Sequence, residues 1–133
     1  MKTILVFLIA SASYATAYCQ TADDYFNRGN SKYDLQDYRG AIADFTKAIE
    51  LKPNNADIYF NRGNSKQKLQ DRRGCIADLT KAIEIDPNYA DAYFYRGLAK
   101  FTLGQKNSGC LDLSKAGELG HEDAYEAIRK VCN

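Results

Sequence analysis

Few side chains in this 133-residue sequence could carry out chemistry. His121 is the only histidine, so no second imidazole exists to complete a zinc site. Ser31 and Ser65 have no histidine partner to activate them. Cys19, Cys75, Cys110 and Cys132 form no C-x-x-C pair and lack metal-ligand spacing. There is no H-E-x-x-H run and no Gly-rich phosphate loop. Neighbouring acids such as Asp23 and Asp24 would point to different faces of a helix and could not flank one bond. The expectation is a non-enzyme with no cofactor and no metal. One constellation recurs: Arg28, Arg62 and Arg96 each precede a Gly, and Asp44, Asp78 and Asp112 follow 16 residues later. Helix phases allow these groups to meet as ion pairs at a packing seam. The competing reading is that the arginines face a ligand carboxylate.

Those residues need elements to position them, and the elements repeat. Segments 22–55 and 56–89 are identical at 25 of 34 positions, and 90–123 keeps 13 identities with the second. Each unit reads as two helices. The first half carries Tyr25, Phe26, Gly29, Lys32 and Leu35; the second carries Ala41, Ile42, Phe45, Ala48 and Ile49. Spacings of three and four place these apolar groups on helical stripes. Asp37 and Asp71 stand where a second helix needs a cap, and Pro53 and Pro87 where it must stop. Gly29, Gly63 and Gly97 recur inside first helices, where Gly costs about 1 kcal/mol against Ala. A cost repeated in every unit predicts close helix contact, with Ala48, Ala82 and Ala116 as the expected opposite surface. After the third unit, 122–132 places Ala124, Ile128 and Val131 on one stripe, with acids leading and bases trailing. It reads as a helix that caps an array of stacked units.

Tyr25, Gly29, Ala41, Phe45, Ala48 and Pro53 fall at the 34-residue spacing of the tetratricopeptide repeat, which the sequence resembles over 22–123. The third unit departs from that pattern at Gly109 and at His121, which stands in the Pro position. The resemblance implies an all-α fold, a right-handed α-solenoid of three helix-turn-helix units plus the C-terminal capping helix. It also implies a concave face lined by first helices that holds a protein or peptide. On that face it places Asn27, Asn30, Asn61, Asn64, Tyr33, Tyr95, Phe101 and Lys68 as binding candidates. An Asn amide offers a donor and an acceptor to a peptide backbone, and aromatic rings supply anchoring area. The family's basic clamp for a C-terminal carboxylate has only Lys68 to build on. Leu98, Tyr95 and Phe101 make the third unit the more apolar end. The alternative is a structural protein that self-associates or docks into an envelope assembly.

The first residues read as an address. Met1-Lys2-Thr3 is a short basic start, Ile4–Ala10 is wholly apolar, and small residues follow. This order matches a secretory signal peptide over 1–19, cut after Ala17 or after Cys19. A spanning helix would need ~20 apolar residues, so no integral membrane segment is expected after cleavage. Bulky Tyr18 before Cys19 speaks against a lipoprotein. The leader and the repeats look bacterial, which suggests a periplasmic or secreted home. Lys+Arg number 18 and Asp+Glu 17; without Lys2 the balance is 18 − 1 = 17 against 17. A neutral chain lacks the field that draws proteins to nucleic acid, and none is expected as a partner.

Export permits disulfides. From Cys110 to Leu119 is nine residues and from Glu122 to Cys132 is ten. Folded antiparallel about Gly120-His121, arms of nearly equal length bring Cys110 and Cys132 level, predicting a bond between them. Cys75 replaces an Ala and reads as a buried small hydrophobe. His121 reads as the end of a helix or a solvent-facing turn.

Overall fold

A computed structural model describes residues 20–133. The proposed leader and Cys19 lie outside the described residues.

Among the described residues seven α-helices follow one another: α1 (Ala22–Asp34), α2 (Tyr38–Leu51), α3 (Ala56–Lys68), α4 (Arg72–Ile85), α5 (Ala90–Thr102), α6 (Lys106–Glu118) and α7 (Ala124–Val131). Among the described residues there are no strands. The protein is an all-α solenoid of helix pairs α1–α2, α3–α4 and α5–α6, closed by α7. None of these helices is long and apolar enough to cross a membrane.

Local chemistry sets the helix ends. Thr21 and Asp24 form a capping box: the Thr21 hydroxyl accepts from the Asp24 N–H at 3.2 Å, and Asp24 accepts from the Thr21 N–H at 2.9 Å. Asp37 accepts from the Gly40 N–H and Asp71 from the Gly74 N–H, each at 3.0 Å, so both second helices are capped where the spacing predicts. First helices end in a left-handed residue, Gln36 (φ 62°), Gln70 (φ 63°) or Gly104 (φ 81°). The next N–H then closes on the last turn, as in Asp71 to the Lys66 carbonyl at 2.9 Å.

The core is a chain of clusters shared between neighbouring units. Ala41, Phe45 and Ala48 of α2 bury Ile58 of α3; Cys75, Leu79, Ala82 and Ile83 of α4 bury Ala92 and Ala99 of α5. Phe94, Leu113 and Ala116 bury Ala124 of α7. Each cluster uses nearest neighbours only, as a solenoid must. The counterpart of Ile58 and Ala92 in the first unit is exposed Asp24.

The helical glycines do face second helices, but not across the expected alanines. A Cβ on Gly29 would lie 2.6 Å from Cε1 of Phe45; on Gly63 it would meet the Cys75 carbonyl at 3.3 Å; on Gly97, the Gly109 carbonyl at 2.8 Å. The close approach therefore runs to the residues 12 and 16 positions on. Ala48, Ala82 and Ala116 are fully buried in the clusters that join units. Gly109, a departure from the family pattern, is what lets α5 and α6 pass backbone to backbone.

The last helix begins at Ala124 rather than 122, because a turn over His121–Asp123 precedes it. In that turn the Asp123 N–H donates to Nδ1 of His121 at 3.3 Å. His121 is neither a simple helix end nor solvent-facing: its side chain is 11% exposed and its ring stacks on Phe94 with centroids 3.9 Å apart.

Candidate functional site

Two polar systems organise the repeats, and separating them shows which residues remain for binding. The first is the recurring Arg–Asp constellation. In every unit the guanidinium forks onto the carboxylate 16 residues later, with Arg62 donating from Nε (2.9 Å) and Nη2 (2.7 Å) to both oxygens of Asp78. Arg28–Asp44 and Arg96–Asp112 repeat the geometry. Lys32, Lys66 and Lys100 reach the same three carboxylates at 3.0, 2.9 and 2.8 Å. Tyr25, Tyr59 and Tyr93 lie under the guanidinium groups. Arg62 also donates to Thr46 and Arg96 to Thr80, each at 3.2 Å, tying units together. The arginines are thus committed to a structural seam, and their forks do not serve a ligand carboxylate. The hydrogen bond from Arg28, then Lys32, holds the Asp44 carboxyl below the usual aspartate range against the opposing effect of burial.

The second system ties the start of each first helix to the turn that follows its unit. Lys52 reaches Asp23 at 3.5 Å, the Tyr89 hydroxyl donates to Asp57 at 2.8 Å, and Nε2 of His121 lies 3.5 Å from Asp91. Tyr89 stacks on Phe60 at 4.9 Å just as His121 stacks on Phe94. Burial, then the bond to Asp57, pushes the Tyr89 phenol well above its ordinary range. Three different side chains thus anchor the acid in the second position of each unit.

What remains is the face made by α1, α3 and α5. Asn30, Tyr33, Asp34, Asn61 and Asn64 line a cavity of about 210 Å³. Tyr33 and Asn64 are shared with a second, wider cavity of about 450 Å³, completed by Gln67, Lys68, Gln70 and Tyr95. The two adjoin across Tyr33 and Asn64 and are treated together as one cleft. Six of the eight binding candidates, Asn30, Tyr33, Asn61, Asn64, Lys68 and Tyr95, line it. Asn27 and Phe101 are exposed and line neither cavity. Asp34 and Gln67 sit at groove positions, but in the sequence a lone carboxylate and a lone amide carry no signal that singles them out. Gln70, left-handed at φ 63°, also lines the wider cavity.

Inside the cleft the Asn61 amide donates from Nδ2 to Oδ1 of Asn30 at 2.9 Å. That bond uses one lone pair of the Asn30 Oδ1 and one Nδ2 donor of Asn61. It leaves the Nδ2 donors of Asn30 and the Oδ1 of Asn61 without a side-chain partner among the described residues. Burial first, then neighbouring Tyr38, Tyr95 and Asp34, raises the Tyr33 phenol above its ordinary range, so the ring stays neutral as a wall of the cleft. A separate cleft of about 340 Å³ lies between α5 and α7, where Phe94, Leu98, Ala127 and Val131 are joined by the charged Asp123, Glu126 and Lys130.

At the far end, Cys110 and Cys132 lie with sulfurs 2.04 Å and Cα atoms 5.9 Å apart, joining α6 to the end of α7. Cys75 is buried, and burial followed by the nearby Asp78 charge pushes its thiol to about 12. Among the described residues no group of acidic, His or Cys side chains is arranged to hold a metal ion.

A family model described as TPR repeat matches residues 29–70 and 74–104. The chain belongs to the tetratricopeptide-repeat family. Tetratricopeptide-repeat domains are non-enzymatic interaction modules, and this chain is one of them. Three solved structures illustrate the likeness. The second TPR of Spaghetti (RPAP3), bound to the HSP90 peptide SRMEEVD, is 31% identical with a TM-score of 0.73, over 75% of this chain and 93% of that one. The second TPR domain of human RPAP3, in complex with the HSP70 peptide SGPTIEEVD, is 29% identical with a TM-score of 0.80, over 84% and 95%. The Arabidopsis OM64 TPR domain is 28% identical with a TM-score of 0.77, over 83% and 95%. Among curated proteins none matches the chain.

Proposed function

We propose that this protein holds an extended segment of a partner protein against the concave face formed by α1, α3 and α5, without catalysis. The observation that carries this reading is the Asn30–Asn61 bond at 2.9 Å in a cavity that both residues line, which leaves the Asn30 Nδ2 donors and the Asn61 Oδ1 for a ligand. The similar domains captured with HSP90 and HSP70 peptides support it. Both of those peptides end in EEVD. Here the second positions of the units hold Asp23, Asp57 and Asp91, each facing its own partner, and Lys68 is the only cation lining the cleft. The segment bound is therefore an internal one rather than an acidic C-terminus.

The setting is extracytoplasmic. A leader over 1–19 directs export to the periplasm or outside the cell, and the bond between Cys110 and Cys132 forms there, fixing α7 as the cap. Self-association is the weaker reading, because the first unit places exposed Asp24 where inner units bury Ile58 and Ala92.

Affinity capture with the mature protein, compared with an Asn30→Ala/Asn61→Ala variant, tests the binding reading. Loss of specific partners from the variant supports it. Equal recovery of every partner by both forms contradicts it.

A further inference from the structure

Building on the peptide-binding reading just given, we infer that the cleft selects segments carrying one basic and one acidic side chain about three residues apart. Asp34 and Lys68 occupy the same register in successive units, the last residues of α1 and α3. The two units are identical at 25 of 34 positions, yet here they differ by a full reversal of charge. Both side chains are exposed, and among the described residues neither takes part in an ion pair or a side-chain hydrogen bond. Each lines its own half of the cleft, Asp34 the first cavity and Lys68 the second, with Tyr33 and Asn64 between the halves. The remaining lining is neutral, so these two groups set the cleft's electrostatic pattern.

The spacing we assign follows from the usual separation of neighbouring helices. Packed helices lie roughly 8–10 Å apart, and the Asn61–Asn30 bond shows that α1 and α3 touch. An extended polyproline-type strand rises about 3.1 Å per residue with three residues per turn. Side chains at i and i+3 therefore point the same way, about 9 Å apart. A strand lying on the amide pair can place a Lys or Arg at Asp34, over the Tyr33 ring, and a Glu or Asp at Lys68.

The test uses the mature protein and capped octapeptide pools, acetylated and amidated. One pool fixes Lys three residues before Glu, one fixes Glu three residues before Lys, and one holds Gln at both places. The wild type should bind one charged order about tenfold more tightly than the Gln pool. An Asp34→Lys/Lys68→Asp exchange, whose folding is checked by its thermal midpoint, should prefer the opposite order. Equal binding of all three pools, with Asn30→Ala/Asn61→Ala still weakening each, would overturn the charge selection and leave the cleft intact. Binding of no capped pool by the wild type would overturn both. So would binding that requires a free C-terminal carboxylate.

Discussion

Gly109 sits so close to Gly97 that a Cβ on either would lie within 2.8 Å of the other's carbonyl oxygen. No flexible side chain can move aside, because the obstacle is backbone on both helices. Gly109→Ala should therefore destabilise the protein by about 1–3 kcal/mol, measured by urea unfolding. Gly63→Ala should cost less, since its nearest neighbour is the Asp78 Cβ at 3.2 Å.

The buried carboxylates make a second prediction. Asp78 is about 6% exposed and holds Arg62 and Lys66. Asp78→Ala leaves two cations facing each other at the seam and should cost roughly 3–5 kcal/mol in chemical denaturation. Arg62→Ala should cost less, because Lys66 still neutralises the carboxylate.

Acid should loosen the first unit in a defined direction. The folded Asp44 carboxyl is held below its ordinary value, chiefly by Arg28. Its contribution is complete above the ordinary aspartate pKa of about 3.9 and is lost as pH falls through the lower folded value. Thermal midpoints recorded between neutral pH and pH 2 should fall steeply at the acid end, and Asp44→Asn should flatten that limb.

Two turn positions leave room for improvement. Gln36 and Gln70 adopt the left-handed conformation that Gly104 fills in the third unit. Gln36→Gly should be neutral or stabilising by up to about 1 kcal/mol in thermal unfolding, despite the greater freedom of the unfolded chain. Gln70 also lines the cleft, so Gln36 is the cleaner site.

The cysteines divide under labelling. A chain starting at Gln20 holds Cys75, Cys110 and Cys132. In denaturant without reductant only Cys75 should react, and with reductant all three. In native buffer Cys75 should be slow, buried and protonated with its pKa pushed up to about 12. Cys132→Ser should lower stability by roughly 3 kcal/mol through the 22-residue separation it leaves open.

Much of this is legible in the sequence alone. The 34-residue period, the Asp37 and Asp71 caps and the 16-residue Arg–Asp spacing each follow from local rules of helix phase and capping. What escapes it depends on how helices rotate against each other. Helix periodicity shows that Gly29 needs a close neighbour but not that Phe45, rather than Ala48, supplies it. The three lysines at the carboxylates lie one turn after each Arg, a spacing that becomes meaningful once the carboxylate is known to be buried between them. His121 resembles a turn residue because its stacking partner, Phe94, is 27 residues away in sequence. Asn27 and Asn30 are both asparagines on α1, yet only Asn30 lines the cleft and meets Asn61.

The most direct measurement is a side-chain amide NMR titration of the mature protein with a captured partner segment. The Nδ2 signals of Asn30, Asn61 and Asn64 should shift together as the segment is added, with the α2, α4 and α6 resonances largely still. Shifts confined to those second helices, with the three asparagine amides unmoved, would contradict binding in the cleft.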